Sequence, residues 1–389
     1  MPVSALSKFF RERYQACSLE IYTSRSLQLY GAALAFTHIL TVYFWRAYPA
    51  FNEPAICWPV FSHCEWLAFL YRNSTLTLAL YLAISASAFC AFIFRRVGLA
   101  TGLLAAAFIL KSLFILSDYR MMGNYHYMSL LLQVTFLMLP EKKRVLRLLI
   151  ALFYLAAGSL KFNSDWLSGQ AFPALPYLTG TLLKIACAYV VVLEMLIAPF
   201  ILSRNRHLRL FALCQLLVFH AFSWNIVGYF YPLTMFAILT IFFLVDEKFE
   251  WPERRPAMIF IGLVCAFQFY PALFEPNSSL NGRGRILALN MFDARSECET
   301  RFFLRYRKRM VEYVPTFPNF GLRIHCDPVV ILHHAQQTCA DQKTNLDFLD
   351  LDVDHQSRRI SQPEVIEQFT YAGVCARPPR VSPLGAIQQ

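Results

Sequence analysis

Residues 74–94 and 256–274 each run without a single charged side chain. About twenty apolar residues cross the hydrocarbon of a bilayer as a helix, and in such a setting every backbone polar group must be satisfied within its own segment. A soluble core does not need runs of this length, whereas a membrane-spanning helix does. With 57% hydrophobic residues in a chain of 389, there is material for many such segments. Nine candidates can be marked: 27–48, 74–94, 98–117, 125–139, 145–162, 180–202, 207–227, 229–245 and 256–274. The expected fold is therefore an all-α polytopic membrane bundle of about nine transmembrane helices. The remainder, 275–389, is read as a small C-terminal extracytoplasmic domain containing β-strands, and 1–26 as a cytosolic N-terminal segment too polar to be a cleavable signal.

Charge placement agrees with this count. Basic residues cluster at Lys8, Arg11, Arg13 and Arg25, at Arg95 and Arg96, at Lys142, Lys143, Arg144 and Arg147, at Arg204, Arg206 and Arg209, and at Lys248, Arg254 and Arg255. Nine spans with the N-terminus inside put every cluster on one side, as the positive-inside rule requires. The net charge of +11 is thus read as topology and an arginine-rich tail, and it gives no argument for a nucleic-acid partner. The expected localisation is an integral multi-pass membrane protein with its C-terminal domain periplasmic, extracellular or lumenal.

Cysteines follow the same sidedness. Cys57 and Cys64 fall in the first outer loop, and Cys298, Cys326, Cys339 and Cys375 in the outer domain, an even number suited to disulfides in an oxidising compartment. Cys90, Cys187, Cys214 and Cys265 fall within spans and read as small buried hydrophobes. Asp350, Asp352 and Asp354 open like a calcium loop, but His355 stands where the loop needs glycine, so a strand with one wet face is the better reading. His325, His333 and His334 show no metal-ligand spacing, and no metal is expected.

Ionisable groups inside apolar runs are costly, about 2.5–3.5 kcal/mol each at the bilayer centre, and mark candidate sites. Lys161, Asp165 and Trp166 end the fifth candidate span, Asn124 and His126 open the fourth, His220 precedes Trp224 and Asn225 in the seventh, and Glu194 lies deep in the sixth. Lys161 is either an anchor reaching the headgroups, with Asp165 as its solvated partner, or a base in a dry pocket. Glu194 either pairs with Lys184 or bonds a neighbouring helix, and Lys111 has no evident partner.

The run Tyr154 to Gly169, with Ala157, Gly158, Lys161, Asp165 and Trp166 at set positions, resembles the vitamin K-dependent gamma-glutamyl carboxylases and their bacterial relatives, which share the horizontally transferred transmembrane domain. Asn124-Tyr125-His126-Tyr127 and the stretch from Phe219-His220 through Asn225 to Gly228 agree with it in order. The resemblance implies an enzyme coupling oxidation of reduced vitamin K, or another isoprenoid quinol, by O2 to carboxylation with CO2 of glutamyl residues in a peptide or protein substrate on the extracytoplasmic side. The lysine matching Lys161 would be the base, with the histidine matching His126 assisting; His220, Asp165, Trp166, Asn124, Asn225 and Glu194 would bind the quinone or support the site. It also implies a Cys57–Cys339 disulfide. Two departures stand out: Leu160 where the family often carries a second lysine, and an outer region that ends soon after Cys339. A quinone-dependent membrane oxidoreductase without carboxylation, and a non-enzymatic maturation factor for a secreted peptide, are the alternatives. The enzyme readings expect a cavity joining His126, Lys161 and His220.

Overall fold

The computed structural model describes residues 18–47, 55–58, 64–67, 69–172, 177–274, 288–289, 296–315, 326–359, 362–377, 380–381 and 387–388. Its bundle is built from α1 (Arg25–Trp45), α2 (Ser74–Ile93), α3 (Val97–Ser117), α4 (Asn124–Met138), α5 (Lys142–Leu160), α6 (Gly180–Val192), α7 (Arg206–Val227), α8 (Phe230–Leu239) and α9 (Arg255–Phe274). Five helical segments are long and apolar enough to cross a membrane: α1, α2, α3, the stretch Gly180–Leu202 that begins with α6, and α7. The nine expected spans are not all met. Helix α4 has only 15 residues, α5 carries four basic residues in its first two turns, and the apolar helices Phe230–Leu244 and Arg255–Pro271 are short. The outer faces of the long helices expose large apolar side chains such as Leu76, Leu99, Leu182 and Val218, as helices facing lipid should. Cys90 and Cys214 share that exposure, so they are not the buried residues expected, whereas Cys187 is.

The basic loops meet at one end of the bundle, and hydrogen bonds explain how. The Glu20 carboxylate accepts from the backbone N–H groups of Glu141 and Lys142 at 2.7 and 2.9 Å, satisfying donors that the start of α5 leaves open. Arg25 donates to the carbonyls of Phe92 and Ile93 at the end of α2. Glu141 accepts from the N–H groups of Glu253 and Arg254, while Lys143 pairs with Glu247 and Arg144 with Glu250. Arg147 donates to the Glu247 carbonyl and Arg209 reaches Asp246. Two of these clusters, those of Lys143 with Arg144 and of Arg209, therefore carry acidic partners.

The C-terminal domain docks at the opposite end. A four-stranded antiparallel sheet of β1 (Ser296–Tyr306), β2 (Met310–Tyr313), β3 (Phe348–Arg359) and β4 (Gln362–Tyr371), in the order β2-β1-β3-β4, packs against α10 (Pro328–Asp341). Asp327 caps α10 by accepting from Val329 N–H, and also accepts from the Tyr119 hydroxyl at 2.8 Å in the turn after α3. The acidic run is strand, as expected: Asp350 accepts from the N–H of Cys375, Asp352 from that of Gly373, and both face Arg305.

Disulfides join Cys298 to Cys326 and Cys339 to Cys375. The Cys57–Cys339 bridge implied by resemblance is not formed. Cys339 closes α10 on the side facing the sheet, 5.5 Å Cα to Cα from Cys375 just beyond β4, whereas Cys57 is disulfide-bonded elsewhere. Both bridges with described partners thus staple the C-terminal domain internally. Cys375→Ser should destabilise that domain by roughly 2–5 kcal/mol, read as a lower midpoint of unfolding that a reductant reproduces in the wild type.

His333 and His334 lie on α10 close to Arg120. Burial, with His334 and Arg120 adding to it, pushes His333 down to about 4. An unfolded histidine titrates near 6.5, so the unfolded chain takes up the proton first as pH falls from about 6.5 toward 4. The C-terminal domain should lose stability across that window, and thermal melts of His333→Gln should show a flatter pH profile.

Candidate functional site

Helix α5 is amphipathic, with Lys142, Lys143, Arg144 and Arg147 at its start and a small-residue end at Ala156, Ala157 and Gly158. The small end permits a close approach. A Cβ on Gly158 would lie 2.6 Å from the Met195 side chain, 3.0 Å from Glu194 Cβ and 3.3 Å from the Met195 backbone nitrogen. The segment so admitted is no ordinary helix. After Val192, α6 widens into a π-turn over Leu193–Ile197 and then tightens into a 3₁₀ turn, Ala198–Leu202. Pro199 accounts for the break, because it has no N–H to continue the ladder. Single π-turns inside helices occur often at functional sites, where they re-aim a side chain.

Here the re-aimed side chain is Glu194. Its Oε2 accepts from Lys161 Nζ at 2.5 Å, and the amine also reaches the Ala157 carbonyl at 3.4 Å. Both side chains are 2% exposed. Lys161 therefore does not snorkel; it is ion-paired with Glu194. Asp165 is itself buried, while Lys184 is exposed.

A short helix, Ser164–Ser168, follows Lys161 and carries Trp166. The Asn163 side chain accepts from Trp166 N–H, and the indole Nε1 donates to the Cys187 carbonyl on α6 at 2.9 Å. That bond fixes the ring with its centroid 5.2 Å from Lys161 Nζ, within cation–π range. Gly169 then turns the chain with φ of 81°, and a side chain there would strike Leu183.

These groups form one end of a cavity of 340 Å³ between α6 and α7. Its remaining walls are mostly apolar or aromatic, among them Phe172, Leu183, Val190, Phe219, Phe222 and Tyr231, with Gln215 and Ser223 as polar exceptions. Tyr189, Val218, Phe222 and Val227 both line it and are exposed on the outer faces of their helices, so the cavity opens sideways toward lipid. Tyr189 donates to Gln215 across this opening at 2.6 Å.

The expected residues do not all meet here. Lys161, Trp166 and Glu194 line the cavity. His220 lies behind it, its Nε2 2.7 Å from the Tyr154 hydroxyl and its ring against Tyr231. His126 is absent from the lining: it is fully buried against Trp45, Tyr125 and Phe230. Asn225 is exposed and bonds only the Phe222 carbonyl of its own helix, and Asn124 starts α4 away from the lining. The joint cavity of His126, Lys161 and His220 is thus replaced by one built on Lys161 and Glu194. Sequence reasoning did not single out Tyr154, Tyr231 or Gln215; the spacing of Tyr154 seven residues before Lys161, two turns on one face, was the available signal.

No family model, curated protein or solved structure matches the chain.

Gly158→Ala tests the close approach directly. It should drive the π-turn from α5, separate Glu194 from Lys161 and cost about 1–3 kcal/mol of stability as overpacking does. Ala157→Gly, next to it, should lack that effect, so equal melting points for the two variants would remove the argument.

Proposed function

We propose that the protein is a membrane enzyme that binds an isoprenoid quinol in the α6–α7 cavity and uses Lys161 as the base toward its phenolic hydroxyl. The observation that carries this reading is an amine held by a carboxylate at the polar end of an otherwise apolar cavity that opens to lipid. The volume of 340 Å³ lies within the range of about 300–1,000 Å³ of ligand pockets, and aromatic walls suit a flat ring. The lateral opening suits a ligand whose tail stays in the bilayer.

Each residue then has a task. With the shared proton on Glu194, the Lys161 amine is neutral and can accept one from the ligand hydroxyl; the Glu194 carboxyl at 2.5 Å holds the amine in place, and the ammonium that forms is balanced by the deprotonated ligand oxygen. Trp166 adds a π-face to the ammonium, and the apolar walls keep water from the deprotonated oxygen. The quinol supplies the chemistry that follows, its oxidation by O2 generating the strong base that carboxylation of a glutamyl side chain needs. His126 has no direct part in this reading, because it does not line the cavity.

In the same reading the shorter helices α4, α5, α8 and α9 complete nine passes, the N-terminus is cytosolic and the C-terminal domain faces the peptide substrate. The basic loops gathered at the end opposite that domain support it.

Purified protein supplied with a reduced naphthoquinone should consume it in an oxygen-dependent reaction. Lys161→Ala should lower the rate by at least about 10²-fold, the scale of lost general-base catalysis. Lys161→Arg should fare little better, since arginine stays protonated. Full turnover by either variant sinks the base assignment, and wild-type binding without turnover assigns the cavity to redox chemistry or carriage instead.

A further inference from the structure

A second buried polar cluster lies in the bundle, on helices that do not build the cavity. Lys111 of α3 is 1% exposed and donates to Ser129 Oγ of α4 at 2.6 Å. The Ser129 hydroxyl in turn donates to the His126 carbonyl at 3.1 Å. His38 of α1 joins Tyr81 of α2 through Nδ1 at 2.5 Å. Lys111 is near enough to the His38 and His126 imidazoles for their charges to interact, and Gln133 faces His38 from α4. All of these residues except Lys111 are fully buried.

Two features of the cluster call for an additional group. Both ring nitrogens of His126 have no hydrogen-bond partner, and Nε2 of His38 and the amide of Gln133 face one another without reaching good hydrogen-bond geometry. Buried polar atoms in native proteins are paired in about nine cases out of ten, so a fully buried imidazole with neither nitrogen paired, beside a loosely joined imidazole and amide, means a missing partner. Charge points the same way. Among the described residues no carboxylate acts on Lys111, whereas Lys161 has Glu194. A buried amine, a primary amide and two imidazoles offer more donors than acceptors.

We propose that His38, Lys111, His126 and Gln133 form an intramembrane binding site for a small monovalent inorganic anion of halide size. The anion occupies the place that Glu194 takes beside Lys161, and it receives the N–H groups of the amide and the imidazoles. A polyatomic organic acid does not fit the proposal, because the surrounding surface is Trp45, Tyr81, Phe114 and Phe230 packed ring to ring.

The test uses the full-length protein in detergent, with sodium held constant and chloride or bromide exchanged for gluconate. A ligand that binds only the folded state raises the midpoint of unfolding with concentration. The midpoint should rise by at least about 2 °C from 1 to 100 mM halide and stay flat in gluconate, a modest shift for a site of this kind. Lys111→Met should abolish the halide response, while Lys161→Met should keep it. Should Lys111→Met not fold, Gln133→Leu and Ser129→Ala read the same site through a weakened response. Equal midpoints in halide and gluconate, or an undiminished response in the cluster variants, would overturn the assignment.

Discussion

The 2.5 Å contact between Lys161 and Glu194 organises one half of the bundle. Two charges removed from water are unfavourable unless each satisfies the other, and deleting one partner of such a pair costs about 3–5 kcal/mol because the survivor is left buried. Everything around the contact serves it. Gly158 lets the backbones come close, the π-turn aims Glu194 at α5, and Trp166, locked to the Cys187 carbonyl, closes the far side. A lysine without these supports, at the end of an apolar helix, would extend to the headgroups.

The contact also explains why the cavity has its shape. Widening α6 by one residue over Leu193–Ile197 displaces its neighbouring turns, and the helix no longer lies flush along α7. The apolar side chains that would have filled the gap instead line it, and several remain exposed on the outside. Tyr189 and Gln215 satisfy each other across the opening, which keeps two polar groups at a lipid-facing position from being left unpaired.

Much of this architecture was legible in the chain. The apolar runs of 74–94 and 256–274 became helices, the basic clusters came to one end, and the alternation through Asp350, Asp352 and Asp354 became a strand. Lys161 stood out as a charge in an apolar context. Glu194 stood out likewise, but its pairing with Lys161 did not, because Glu194 reaches it only through a local change of helical period that no 3.6-residue pattern encodes; Pro199, five residues on, was the hint. Disulfide partners were hidden for a similar reason. Which cysteines meet is decided by how α10 lies on the sheet, and sequence order carries no record of it. His38 and Gln133 passed unnoticed because each is one polar residue among apolar neighbours, and only assembly puts them beside Lys111.

The buried amines of Lys111 and Lys161 are kept apart by the first turn of α8. Phe230 stacks on Phe44 with centroids 4.5 Å apart and meets Tyr125 and His126 edge-on or tilted, so it faces the Lys111 cluster. Tyr231, the next residue, turns to His220 and the cavity. Gly228, with φ of 74°, makes the tight turn from α7 that sets these two side chains on opposite sides. A single aromatic layer thus divides one amine with a carboxylate from one without.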